Sequence, residues 1–154
     1  MEQIKVAVFG TGFMGRVHVE ALRRLGNVEV VAVAGRTVES AREFAAAHSI
    51  ERSTGDYREL LSGPELNAVH ICSPNSLHFP MAKAALEAEK HVLCEKPLAS
   101  SVAEALAMAA LTSLCADTGA AKAGSRFSAL SGLPGTSSLV FLRMCVPAPA
   151  KPSM

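Results

Sequence analysis

A glycine-rich turn near the start of the chain constrains its fold more than any other feature. The pattern GxGxxG is matched by Gly10, Thr11, Gly12, Phe13, Met14 and Gly15. The turn follows an apolar, β-branched run over residues 4–9 and precedes helical spacing over residues 13–25, the context in which such a loop binds a diphosphate. Gly10 permits the tight turn, Gly12 lets a phosphate approach the backbone, and Gly15 lets the helix pack against the strand. The alternative is a glycine-rich turn without a ligand.

The periodicity of the following residues predicts an alternating order of strands and helices. Apolar runs predict strands over 28–34, 68–72 and 91–94 and a weak strand within 49–55. Helical or capping patterns predict helices after Thr37 and over 56–61, about 79–89 and at least 103–110. The first helix is predicted to bury a stripe of Met14, Val17, Ala21 and Leu25. This β-α-β-α order implies an α/β, Rossmann-type, doubly wound parallel sheet.

The character of the sequence changes near residue 111. Ser, Gly, Ala and Pro dominate from there on, no acidic residue follows Asp117, and residues 140–146 form the one compact apolar run. We therefore predict a dinucleotide-binding domain over 1–110, with its sheet incomplete at the C-terminal end, and an irregular tail over 111–154.

Composition limits the classes of partner. A net charge of +1 and 5% aromatic residues argue against nucleic acid as a partner, and no stretch is apolar enough for a membrane span. The N-terminus lacks the basic start and apolar run of a signal peptide. None of the four cysteines forms a CxxC pair or has a histidine at zinc-ligand spacing, so we predict no metal site and, from reduced thiols, a cytoplasmic protein.

The end of the second strand bears on the choice of cofactor. NAD-specific domains usually place a carboxylate there, to bind the adenine ribose hydroxyls. Here the strand ends Ala34-Gly35-Arg36-Thr37, with no carboxylate and with a guanidinium that would pair with a 2′-phosphate. The pattern favours NADP over NAD, with Thr37 and Arg42 as further contacts. Arg36 remains open to two other interpretations, a solvated surface charge or a side chain that stacks on adenine.

Two further strand ends carry motifs that resemble one protein family. The segments are Ile71-Cys72-Ser73-Pro74-Asn75-Ser76-Leu77-His78 and Lys90-His91-Val92-Leu93-Cys94-Glu95-Lys96-Pro97-Leu98-Ala99. Together with the glycine-rich turn, they resemble the Gfo/Idh/MocA oxidoreductases (glucose-fructose oxidoreductase, inositol dehydrogenase and relatives). The resemblance covers about residues 3–110. It implies an NAD(P)-dependent dehydrogenase that acts on a secondary alcohol of a sugar, inositol or related polyol.

The resemblance also assigns roles to residues. Lys96 takes the catalytic role beside the nicotinamide, where its ammonium would hydrogen-bond the substrate hydroxyl. Glu95 is expected to bind the nicotinamide ribose or orient Lys96, and Pro97 to stiffen the turn through a peptide bond that relatives often hold cis. His18 is expected to be a packed, hydrogen-bonded residue. The cofactor groove is expected to be lined further by Ser73, Pro74, Asn75 and His78.

The chain departs from the family after residue 110. Family members continue into a second α/β domain that supplies most substrate contacts and usually the oligomer interface, and no such continuation is visible in this sequence. We expect a truncated, alternatively spliced or frame-shifted form that is inactive or weak by itself, with assembly into a homo-oligomer left open. A nucleotide-binding module without turnover is the alternative function. A methyltransferase-like or flavin-binding Rossmann domain is a third, against which the Glu-Lys-Pro turn argues.

Overall fold

Buried apolar strands alternate with amphipathic helices along the chain. The computed structural model describes residues 3–114 and 140–142. The strands are β1 Ile4–Phe9, β2 Val28–Ala34, β3 Arg52–Thr54, β4 Ala68–Ile71, β5 His91–Cys94 and β6 Val140–Leu142. The helices are α1 Phe13–Arg23, α2 Val38–Ala47, α3 Arg58–Leu61, α4 His78–Glu87 and α5 Val102–Leu114, with a short 3₁₀ turn at Asn75–Leu77. No helix within the described ranges is long and apolar enough to cross a bilayer.

The strands form one sheet in the order β3-β2-β1-β4-β5-β6. The first five pair in parallel, and β6 pairs antiparallel with β5. The chain therefore builds outward from β1 to β3 and then returns to the other side of β1 through β4. This reversal opens a crevice at the carboxyl ends of β1 and β4, where ligands of open α/β sheets bind. The prediction of an α/β Rossmann-type sheet is confirmed.

Both faces of the sheet are buried, as continuous apolar strands require. Ala7 and Phe9 of β1 belong to one apolar cluster with Ile71, Leu86 and other residues of α3, α4 and α5. The intervening β1 residues face a second cluster formed with α1 and α2. Strand β1 is thus held between two packed layers, and the glycine-rich turn begins at its carboxyl end.

The rotation of α1 differs from the sequence-based prediction. Val17 and Leu25 of the predicted stripe are exposed, by 41% and 51%. The buried residues of the helix are Gly15, His18, Val19 and Leu22. The cause lies at Gly15, where an added Cβ would contact the carbonyl oxygen of Gly10, so this position has to face the strand. The residues that share a helix face with Gly15, which are His18, Val19 and Leu22, therefore form the buried face of α1.

Two elements of the structure reach into the segment after residue 110. Helix α5 runs to Leu114, in agreement with a helix predicted over at least 103–110, because the alanine- and leucine-rich sequence continues to favour a helix. Val140–Leu142, in the apolar run that was assigned to an irregular tail, forms β6 on the edge of β5. The sheet therefore carries a strand where the sequence predicted none. The rest of the predicted tail lies outside the described residues.

Candidate functional site

A groove of about 560 Å³ lies at the carboxyl ends of β1, β2 and β4. It brings together most of the residues predicted to bind a cofactor: Gly10, Thr11, Gly12, Phe13, Met14, Arg36, Ser73 and Pro74. It is completed by residues that the sequence analysis did not assign to cofactor binding, among them Gly35, Ser40, Cys72, Leu77 and Met81. Three strand ends that are far apart in sequence therefore form one concave surface.

The three glycines of the loop serve three different purposes. Gly10 has φ +123° and lies so close to β4 that a Cβ would sit 2.5 Å from the carbonyl oxygen of Cys72. Gly15 allows the helix to contact Gly10. At Gly12 a Cβ would meet no atom of the described residues within 4 Å, although the position lines the groove. Gly10 and Gly15 are required by the fold, and Gly12 keeps space open for a ligand.

The N-terminus of α1 is suited to an anion. Within the part of the chain that the structure describes, no side chain caps it, and its first turn holds no acidic residue. The first-turn amides and the positive end of the helix dipole are therefore available to a negatively charged group in the groove. Uncapped amides beside an open Gly12 fit the diphosphate of a dinucleotide.

The end of β2 and the start of α2 line another side of the groove. Thr37 caps α2, with its hydroxyl accepting from the Ser40 amide while the Ser40 hydroxyl accepts from the Thr37 amide, as predicted for a helix start at this residue. A Cβ at Gly35 would lie 2.8 Å from Ser40 Oγ, so α2 approaches the strand end closely. Arg36 is exposed at the groove, and within the described part of the chain no carboxylate pairs with it. A guanidinium without such a partner fits an anionic ligand group.

The loop after β4 is fixed by His78. Ser73 and Pro74 line the groove, and Asn75 is exposed in the 3₁₀ turn outside its lining. His78 is only 1% exposed, with Nδ1 2.7 Å from the Pro97 carbonyl oxygen and Nε2 2.9 Å from that of Ser73. His78 thereby links the β4 loop to the Glu-Lys-Pro turn, and its contact with the cofactor stays a prediction.

The Glu-Lys-Pro turn stands beside the groove at the end of β5. The Glu95 amide donates to the Ile71 carbonyl oxygen (2.9 Å), which aligns the turn with the end of β4. The Lys96–Pro97 peptide bond is cis, as the resemblance implies. Lys96 and Pro97 are exposed, while Glu95 is buried. These three residues lie outside the lining of the groove and are joined to it through His78 and Ser73.

A partly buried series of hydrogen bonds connects His70 of β4 and His18 of α1 to Glu95. His18 Nε2 lies 2.9 Å from Glu95 Oε1, and the Lys96 amide donates to Glu95 Oε2 (3.2 Å). His18 Nδ1 lies 2.9 Å from His70 Nδ1. The expectation that His18 is packed and hydrogen-bonded is confirmed. The sequence analysis gave His70 no role, because nothing in the sequence places it beside His18.

Burial shifts the pKa values of His70 and of two cysteines near Glu95. It lowers the pKa of His70 to about 4, with the neighbouring His18 as a second cause. It raises the pKa of Cys94 to about 12 and also raises that of Cys72, with the Glu95 charge contributing to both. Both thiols are free, buried and poor nucleophiles. In the described ranges, no group of three or more His, Cys, Asp or Glu side chains is placed to hold a metal ion.

Comparison with known proteins identifies the domain. The profile of the Gfo/Idh/MocA oxidoreductase family, described as an NAD-binding Rossmann fold, matches residues 4–116. The uncharacterized oxidoreductase YrbE of Bacillus subtilis is 38% identical over 103 residues, which cover 67% of this chain and 30% of the relative. The scyllo-inositol 2-dehydrogenase (NADP(+)) IolU of the same organism is 37% identical over 101 residues, 66% of this chain and 31% of the relative.

A solved structure of levoglucosan dehydrogenase, in complex with NADH and L-sorbose, superposes with a TM-score of 0.70 at 35% identity. The alignment covers 72% of this chain and 32% of that protein. The chain therefore spans about 30% of the length of the relatives that it matches. The groove, the glycine-rich turn and these matches together establish that the chain belongs to the Gfo/Idh/MocA oxidoreductase family and contains its NAD-binding Rossmann domain.

Proposed function

We propose that the chain forms the cofactor-binding part of an NAD(P)-dependent dehydrogenase that acts on a secondary alcohol of a sugar, inositol or related polyol. The observation that carries this proposal is the open position at Gly12, in a groove that ends at an uncapped helix N-terminus. The relatives support the substrate class, because they include a scyllo-inositol dehydrogenase and a levoglucosan dehydrogenase in complex with L-sorbose.

The proposed roles follow from position. Backbone amides of the glycine-rich turn and of the first turn of α1 hold the diphosphate, and Ser73 and Pro74 border the nicotinamide end of the groove. The bound cofactor supplies the hydride acceptor. Lys96 donates a hydrogen bond to the substrate oxygen and stabilises the negative charge that develops there. Glu95 orients Lys96, because its carboxylate accepts from the Lys96 amide.

We propose a preference for NADP, which rests on Arg36. This side chain is exposed at the groove, in the place where a carboxylate would repel a 2′-phosphate. A charge-assisted pair of this kind contributes about 1.5–3 kcal/mol, so we expect NADPH to bind about 10–100-fold more tightly than NADH.

The cofactor proposal is tested by titrating the purified chain with NADPH and with NADH and following nicotinamide fluorescence. Arg36→Ala should bring the two affinities together. Arg23→Ala is the matched control, because this arginine lies in the last turn of α1 and pairs only weakly with Glu20 (3.8 Å). An unchanged NADPH-to-NADH ratio in Arg36→Ala would remove the basis for the preference, and no binding of either nucleotide would refute the proposed function.

A binding module without turnover is the second candidate. It is favoured by the lining of the groove, whose polar groups are backbone amides, hydroxyls and Arg36, with Lys96 outside it. A turnover screen with inositols and sugar alcohols separates the two functions. Turnover that Lys96→Ala abolishes, with cofactor affinity retained, supports the dehydrogenase. Tight binding without turnover on any polyol supports the module.

A further inference from the structure

Glu95 is a buried carboxylate whose two oxygens have different partners. It is 8% exposed, with Oε1 at His18 Nε2 (2.9 Å) and Oε2 at the Lys96 amide (3.2 Å). A buried charge is tolerated only when hydrogen bonds replace its water, so each of these two donors is needed. The two free thiols whose protonation the Glu95 charge affects, Cys72 and Cys94, are weak donors and bring no opposite charge.

We propose that His18, supported by His70, is a positioning residue that acts through the Glu95 carboxylate to hold the backbone of Lys96. The inference deepens the proposed function and rests on it only in treating Lys96 as the residue that faces the substrate. The contacts themselves join α1, β4 and the end of β5 regardless of which reaction the site performs.

Hydrogen-bond chemistry fixes where the protons lie. An ionised carboxylate only accepts, so His18 Nε2 has to carry a proton that it donates to Glu95. The two Nδ1 atoms, 2.9 Å apart, share one further proton, since a contact this short needs one donor and one acceptor. Burial keeps His70 neutral near pH 7, because its pKa is lowered to about 4. His70 therefore donates to a neutral His18 or accepts from a protonated one, and in both cases His18 Nε2 keeps its proton and donates it to Glu95.

The consequence for Lys96 is local. Without the His18 donor, the carboxylate would turn toward water, and the Lys96 amide would lose its acceptor. The amide of Glu95 itself would stay bound to Ile71 of β4, so the strand end would remain in place. We therefore expect Lys96 to become more mobile while the sheet stays intact.

The test measures amide hydrogen exchange by NMR on the full chain. In His18→Leu, the Lys96 amide should exchange about tenfold faster or more relative to Leu93 in β5. His18→Gln should restore exchange to near the wild-type ratio, because its side-chain amide can still donate to the carboxylate. The control is His48→Leu, a half-buried histidine at the end of α2, next to Phe44, which should leave the ratio unchanged. A wild-type ratio in His18→Leu would overturn the proposal.

A second measurement does not depend on whether His18→Leu folds. Imidazole ¹⁵N spectra of the wild-type chain at pH 7 should show a protonated Nε2 in His18, and a deprotonated Nε2 overturns the proposal. NADH titration of the same samples is a separate readout. Absence of binding of both NADH and NADPH, titrated in parallel, would refute the proposed function, whereas the exchange ratio and the ¹⁵N signature alone decide the role of His18.

Discussion

Replacing Gly12 by alanine tests whether this position is a glycine because a ligand needs the space or because the fold does. A Cβ at this position meets no protein atom within 4 Å, and the backbone angles of φ −83° and ψ −165° are open to any residue. Gly15→Ala is the contrasting change in the same loop, because its Cβ would contact the Gly10 carbonyl oxygen. The first change should act on binding and the second on folding.

The expected magnitudes follow from these surroundings. Gly12→Ala restricts the unfolded chain, which stabilises by about 0.4–1 kcal/mol, but it also places alanine at an N-cap, which costs a similar amount. The free energy of unfolding should therefore change by less than about 1 kcal/mol. The added methyl would keep a diphosphate from the backbone amides, and loss of one hydrogen bond to a charged group weakens binding by about 10–100-fold. Gly15→Ala should destabilise by about 1–3 kcal/mol through overpacking.

The assay pairs NADPH titration with urea denaturation of each variant. Gly26→Ala is the matched control, since its Cβ would also meet nothing within 4 Å and the residue lies after α1, outside the lining of the groove. It should leave the affinity unchanged and stabilise the chain by no more than about 1 kcal/mol, through the restriction of the unfolded state. A folded Gly12→Ala variant that binds the cofactor as tightly as wild type would refute the argument that this position admits the diphosphate.

Three further outcomes are expected. The free energy of unfolding should decline by up to about 3 kcal/mol as the pH falls from about 6.5 to 4, because His70 takes up a proton in the unfolded chain but not in the folded one. In urea denaturation, the midpoint should fall less in His70→Gln than in the wild-type chain over this pH range. An equal fall in both would contradict the reasoning. Thr37→Ala should lower the free energy of unfolding, measured by urea denaturation, by about 1 kcal/mol through loss of the α2 cap. An unchanged free energy would mean that another group caps α2 in the variant. Cys94 and Cys72 should resist a thiol reagent at pH 8 in the native chain and react in urea, as mapped by peptide mass spectrometry, because their raised pKa values keep both thiols protonated.

The strands that the sequence predicted best are those buried on both faces. The bounds of β1, β2 and β5 coincide with continuous apolar runs that end at polar or glycine turns. Strands β3 and β6 have three residues each, and what defines them is their pairing with β2 and β5. Such short segments carry too few residues for a period, so their sequences predicted only a weak strand and a compact apolar run.

The groove was predictable because its parts are local. A glycine-rich turn, a helix cap at Thr37 and the polar end of β4 each have a sequence pattern, and parallel strands bring their carboxyl ends to one edge. The link through His78 was assigned a different partner, since its contacts with Ser73 and Pro97 depend on how α4 starts against the β5 turn. A motif predicts which loops meet at the edge and does not predict which side chains join them.

The role of His18 depends on the rotation of α1, which apolar periodicity alone assigned incorrectly. The buried residues Gly15, His18, Val19 and Leu22 follow one another at spacings of three, one and three. This is the helical stripe that begins at the third glycine of the loop. Because Gly15 has to face the strand, every later residue of the helix is fixed by it, whatever the size of Met14 or Val17. The same constraint that packs the helix for phosphate binding therefore turns His18 inward, toward His70 and Glu95.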